Sequence, residues 1–348
     1  FRIYISVMQS IDKKIDDLFY KWLLLTFLMV FVMVVVGGLT RLTNSGLSIT
    51  EWELFSGILP PLNKEDWNYY FSLYKEIPQY QLLNSNMSLQ EFKVIFYWEY
   101  IHRILGRLLG LIFLIPLLYF HFVAKINKVH LPTCYIVLFL IILQGIIGWY
   151  MVKSGLVNKV SVSHYRLSIH LFMAFIIISI IFWEILNVRR KSLKKFFLNK
   201  KENYIFYFLF FIIFLQIILG AFVSGLDAGK IYQTWPLMNY SYFPNDVSIN
   251  NFKNLFDFDS HGLIQFYHRN IAYLITIYVF ILGYYLFKSN NHELMKPFFY
   301  LSIVIILQIF LGIMTLISGL NIYLASAHQI SSLLLVLSAI NLYFDYIK

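Results

Sequence analysis

The stretch WEYIHRILGRLLGLIFLIPLLYF, residues 98–120, carries Glu99, His102, Arg103 and Arg107 within its first ten positions and only apolar or aromatic residues, with one proline, after that. About 20 apolar residues in a helix cross roughly 30 Å of hydrocarbon, so this segment reads as a transmembrane helix with one chemistry-bearing end. Similar runs recur near residues 22–39, 133–152, 164–187, 204–223, 264–287, 297–318 and 325–344, which with 96–120 predicts eight spans. Of the 348 residues, 59% are hydrophobic and 13% charged, and mean hydropathy is +0.67. A soluble domain so apolar could not cover its own surface. The expected class is an all-α polytopic membrane protein.

Lysine and arginine give the orientation. Sixteen of the 28 fall in the N-terminal tail, in the connections after spans two, four and six, and at the last residue. The cluster Arg189, Arg190, Lys191, Lys194, Lys195, Lys200 and Lys201 marks this face as cytoplasmic, with both termini on it. The net charge of +10 is then a topology signal: it implies membrane lipid and no nucleic-acid partner. The lone Cys134 opens an apolar run and reads as a small buried hydrophobe. The first twenty residues lack the apolar core and cleavage site of a removable signal, so the first span is expected to direct insertion.

Two connections on the opposite face are long, about 41–95 and 224–263. Residues 67–80 read as an amphipathic segment lying over the membrane. Ser88 and Glu91 have capping-box spacing, so the second helix is expected to start before the bilayer.

The chain repeats itself. Residues 37–52 pair with 220–235 at an offset of 183, matching Gly46 with Gly229 and Trp52 with Trp235. Leu143, Gln144 and Gly148 pair with Leu307, Gln308 and Gly312 at an offset of 164, as do residues 154–156 with 318–320. Each half has four spans and therefore the same orientation. The expected organisation is two pseudo-symmetric four-helix bundles, residues 1–195 and 196–348.

Four of the nine histidines, His102, His170, His268 and His328, sit in the even-numbered spans, each in the third nearest the long loops. They share one depth, and the repeat relates His102 to His268 and His170 to His328. Ionisable groups in a bilayer are costly. Packing within the bundle is the bland explanation for any one of them. Four at equivalent positions point instead to paired imidazoles holding haem iron from both axial sides. Zinc fits less well, since no cysteine and few carboxylates share this depth. Gly106 and Gly110 follow His102 at i+4 and i+8, and Ala174 and Ala272 follow His170 and His268 at i+4; these leave room for a flat macrocycle or serve helix contact. His121, His130 and His292 fall at the inner boundary, where solvation is expected; they, His164 and His261 receive no role.

Glu99 precedes His102 by three residues, on the same helix face. The matching residue before His268 is Gln265, so the repeat breaks here. A carboxylate beside a haem can transfer a proton or stabilise developing positive charge; alternatively it pairs with Arg103. Arg41, Arg103, Arg107, Arg166 and Arg269 lie near the loop-side helix ends and are candidate partners for haem propionates, or interfacial anchors.

These residues resemble the heme A synthase family, of the alphaproteobacterial and mitochondrial type. The matching stretches are GLTRLTNSGLS (38–48), EYIHRILGR (99–107), VSHYRLSIHL (162–171), GLDAGKIYQTWPLM (225–238), QFYHR (265–269) and AHQ (327–329). The resemblance implies oxidation of a heme O methyl group to the formyl group of heme A, for terminal oxidases. It implies that His102 and His170 bracket the substrate haem beside a catalytic Glu99, and that His268 and His328 ligate a resident heme b. The loop cysteine pair of the shorter bacterial type is missing, which removes any thiol role. Heme O synthase (protoheme farnesyltransferase) is implied as the upstream partner; the electron donor and oligomeric state are open.

The alternative is a diheme b-type electron carrier, which needs the same four histidines but no carboxylate at one site only. A transporter of inverted repeats fits poorly with parallel halves. A bacterial inner membrane is expected, with the mitochondrial inner membrane as the alternative.

Overall fold

A computed structural model of the chain describes residues 2–51, 56–156, 159–198, 200–247, 251–289 and 291–347. Among the described residues eight helices are long and apolar enough to cross a membrane: α1 (Arg2–Leu42), α4 (Leu89–Tyr119), α5 (Leu131–Gly155), α6 (His164–Arg189), α7 (Tyr204–Gly225), α8 (His261–Lys288), α9 (Met295–Ile317) and α10 (Ile322–Tyr346). Two short helices, α2 (Lys64–Lys75) and α3 (Pro78–Leu83), lie in the first long loop. Among the described residues no strand forms beyond an isolated bridge between Met238 and Ser241. The chain is an all-α multi-pass membrane protein. Trp52, the sequence counterpart of Trp235, lies outside the described residues.

Within the first four spans α1 packs on α4 and α6, and α5 on the same two; within the last four, α7 and α9 each pack on α8 and α10. Contacts of α6 with α7 and α10, and of α1 with α10, join the two sets. The main apolar core runs through both without a break, with Phe113, Phe175 and Ile178 meeting Phe206, Leu301 and Tyr343 in one cluster. The basic connection is tied into the fold. Trp183 donates to the Lys194 carbonyl at 2.9 Å, Lys194 Nζ to the Phe344 carbonyl at 2.9 Å, and Arg190 pairs with Asp345. Cations here complement the C-terminal end of α10.

At 31 residues, α4 is about 46 Å long against roughly 30 Å of hydrocarbon, so it overhangs. Its start is fixed as expected: Ser88 Oγ accepts from the Glu91 amide, and Glu91 Oε2 accepts from the Ser88 amide. The overhang gives α2 a partner. Trp67 and Phe71 pack on Phe96 and Phe92 with ring centroids 5.1 and 5.0 Å apart. The apolar face expected to lie on lipid is therefore buried on protein, because α4 offers an aromatic surface at the same height. At the other end, Pro116 cannot donate to the Ile112 carbonyl, and the Trp22 indole takes that place at 2.9 Å.

Candidate functional site

Four helices deliver the four histidines in two facing pairs. The His102 and His170 rings have centroids 6.5 Å apart with planes at 68°; for His268 and His328 the values are 6.4 Å and 84°. Two metal–nitrogen bonds of about 2 Å, plus a ring radius of about 1.1 Å on each side, put two axial imidazoles about 6.2 Å apart centre to centre. Both pairs have this span. His170 Nδ1 and His268 Nδ1 are buried without a hydrogen-bond partner among the described residues, which is costly unless something else takes them. His328 Nδ1 lies 3.1 Å from the Gln308 carbonyl; donation there leaves Nε2 with the free lone pair, the form that binds iron. Among the described residues no three His, Cys, Asp or Glu side chains converge, so the zinc alternative gains no support.

The rings are seated by residues that the sequence reading had used only to align the repeats. A Cβ on Gly37 would fall 3.1 Å from His102 Nε2, and on Gly148 2.9 Å from His170 Cε1. Gly220 and Gly312 stand 3.1 and 2.9 Å from His268 and His328 Cε1 in the same sense. Each histidine on an even span thus leans on a glycine of an odd span. Gln144 Nε2 donates to the His170 carbonyl and Gln216 Nε2 to the His268 carbonyl, both at 2.9 Å. The signal in the sequence was Gln-x-x-x-Gly, present at 144–148, 216–220 and 308–312.

Glu99 is 2% exposed and has four donors. Arg103 Nε and Nη2 reach Oε1 at 3.0 and 2.6 Å; the Ser48 hydroxyl and the Ile49 amide reach Oε2 at 2.8 and 2.9 Å. The pairing with Arg103 that the sequence left as an alternative is therefore formed. In the other half Gln265 Nε2 donates to the Tyr232 carbonyl at 2.8 Å, and Arg269 Nη2 to the same oxygen at 3.0 Å. Tyr232 in turn donates to Asp246 at 2.6 Å. Burial, followed by that hydrogen bond, raises its hydroxyl above the usual tyrosine range, which keeps it a donor.

The arginines make protein contacts. Arg41 binds Asn44, the Ser224 carbonyl and, at 3.0 Å, Asp227. Arg107 donates to the Gly57 carbonyl at 2.8 Å. Arg166 lies 4.6 Å over the Tyr150 ring. Arg269 Nε is buried without a partner among the described residues. Cys134 is buried, as expected. His130, by contrast, is not a solvated boundary residue: it pairs with the buried Glu184 of α6, a contact across 54 positions that no local pattern announces. His164 meets Asp259 of the second long loop at 3.4 Å.

The sequence pattern of the COX15-CtaA family, described as cytochrome oxidase assembly protein, matches residues 20–340. The chain is 51% identical over 317 residues to the heme A synthase of Pelagibacter ubique, covering 91% of this chain and 93% of that protein. It is 44% identical over 320 residues to the heme A synthase of Rickettsia bellii, covering 91% and 94%. With that of Rickettsia felis it shares 41% over 334 residues, covering 94% and 98%.

Proposed function

The chain belongs to the COX15-CtaA family, and from that premise we propose that it performs the heme A synthase reaction, oxidising a methyl group of heme O to a formyl group. The supporting observation is two imidazole pairs at iron-bridging separation, only one of which has a buried carboxylate one helical turn away. On this reading His102 and His170 hold the substrate haem, and His268 and His328 would hold a resident heme b. That group, when bound, supplies the redox chemistry that side chains lack.

The chain's own residues position and stabilise. Of the two Glu99 oxygens, Oε2 is the one able to take a proton. Its Ser48 partner can rotate from donor to acceptor, whereas the guanidinium on Oε1 and the Ile49 amide can only donate. Arg103 also donates to the Ile49 carbonyl at 2.9 Å, so carboxylate and loop are held as one unit and need no reorganisation as charge develops. Glu99 itself is 2% exposed, and the low polarity around it strengthens each of these interactions.

The reading also has a location and a supplier: an inner membrane with the basic face and both termini in the cytoplasm, and heme O synthase upstream. The test is direct. Cells expressing the chain with a heme O supply are extracted, and pigments are separated and weighed by mass spectrometry. Heme A should accumulate, and Glu99→Ala should abolish it while leaving the haem spectrum. Undiminished heme A from that variant would remove Glu99 from the chemistry.

A further inference from the structure

Three of the four histidines have a two-point seat on the facing helix. Glycine supplies the space beside the ring, and a glutamine one turn earlier supplies a polar contact, its side-chain amide at two of the seats and its main-chain carbonyl at the third. Gln144 and Gln216 donate to the main-chain carbonyls of His170 and His268. At the third seat the Gln308 carbonyl faces His328 Nδ1 at 3.1 Å, and its side-chain oxygen accepts from Ser331, whose hydroxyl lies 3.0 Å from the His328 carbonyl. The repeat places Met33 of α1 where Gln216 stands in α7, since the offset of 183 relates them as it relates Gly37 to Gly220. Methionine has no donor. Its Cε approaches Gly106, one turn beyond His102, with 3.6 Å to where a Cβ would lie. Among the described residues His102 therefore has the glycine but neither glutamine contact.

We propose that His102 is the displaceable ligand of the first pair and that Met33 makes it so, leaving His170 as the fixed ligand on which the substrate haem arrives and from which the product departs. This rests on the reading of His102 and His170 as the substrate site. The physical reason is backbone freedom. A second donor on a histidine's carbonyl holds that turn of helix in register with its neighbour, and a thioether sliding on a glycine does not. A ligand on an unheld turn can swing away by a small helix displacement, while the fixed one across the cleft keeps its place. An enzyme whose substrate and product share one macrocycle needs such an unequal pair, and a resident haem needs both of its ligands held, by whichever contact. Gln216 is, by the same argument, a positioning residue for His268.

The test uses the full-length protein in detergent with both sites haem-loaded, and cyanide as the probe of ligand displacement, followed by the Soret change in stopped flow. Wild type should show one fast and one slow phase. Met33→Gln should slow the fast phase by about threefold to tenfold, the worth of one hydrogen bond. Met33→Leu should leave it unchanged, and Gln216→Met should speed the slow phase. A fast phase indifferent to Met33→Gln, in protein that retains both haem spectra, overturns the inference, as does an unchanged slow phase in Gln216→Met. If the fast phase vanishes in His268→Ala and persists in His102→Ala, the assignment of the substrate site has failed instead. That outcome overturns the proposal from below.

Discussion

The two halves use one framework and differ in the direction of a hydrogen bond. In the first, Glu99 accepts from the Ile49 amide. In the second, Gln265 donates to the carbonyl of Tyr232, the residue 183 positions after Ile49. In both, an arginine four residues on donates to the carbonyl of that same loop residue, Ile49 or Tyr232. Asn44 and Asp227, again 183 apart, both adopt left-handed backbone, with φ of 52° and 53°, a conformation these two side chains tolerate. The lesson is that architecture was kept while one acceptor became a donor. Chemistry can be confined to one half without moving a helix.

Making the first half resemble the second should have the largest effect. Glu99→Gln keeps size but loses the negative charge and turns one acceptor oxygen into a donor, so heme A formation should fall at least about 100-fold with an unchanged haem spectrum; measured product within a few-fold of wild type would end the comparison. Next come the ligands. His268→Ala and His328→Ala should each cost about one haem equivalent by the pyridine haemochrome assay, while His102→Ala keeps the resident one. If all three lose the same haem, the pairs are not independent sites.

The reverse exchange sharpens the point. Gln265→Glu sets a carboxylate against the Tyr232 carbonyl with Ile231, not a serine, at the position of Ser48. It should destabilise by about 1–3 kcal/mol, read as a lower thermal midpoint. Added to Glu99→Gln it should not restore heme A. The smallest effect is expected where the halves touch: Arg41→Ala breaks a partly exposed ion pair with Asp227 and should cost about 1 kcal/mol or less. A midpoint lowered by much more would mean that the halves are held together chiefly at this point.

What the sequence made legible follows from what is local. Eight spans can be read because apolar length alone decides whether a helix crosses lipid, and the Ser88–Glu91 cap because its partners are three residues apart. His102, His170, His268 and His328 stood out because an ionisable group is conspicuous in a hydrocarbon run. Glu99 stood out through its mismatch with Gln265. The rest depends on which helix faces which. Gly148 is only a repeat marker in the sequence until α6 brings His170 against it. That Arg41 pairs with Asp227, 186 positions later, could not be seen in the sequence, and His130 seemed a boundary residue until Glu184 met it. Aromatic periodicity in α2 showed that a face would be buried, and only the α4 overhang showed against what.

Arg41 also touches the Ser224 carbonyl, and Ser224 is its own counterpart in the repeat. The sequence repeat thus meets itself at this contact, residue 41 against residue 224. Were the copies separate identical chains, two guanidinium groups would collide there, like charge on like charge. A single continuous polypeptide escapes this, because one copy can keep the cation while the other gives way to a small neutral residue. One continuous chain thus tolerates inequality where its repeat meets itself, a cation on one side and a small neutral residue on the other.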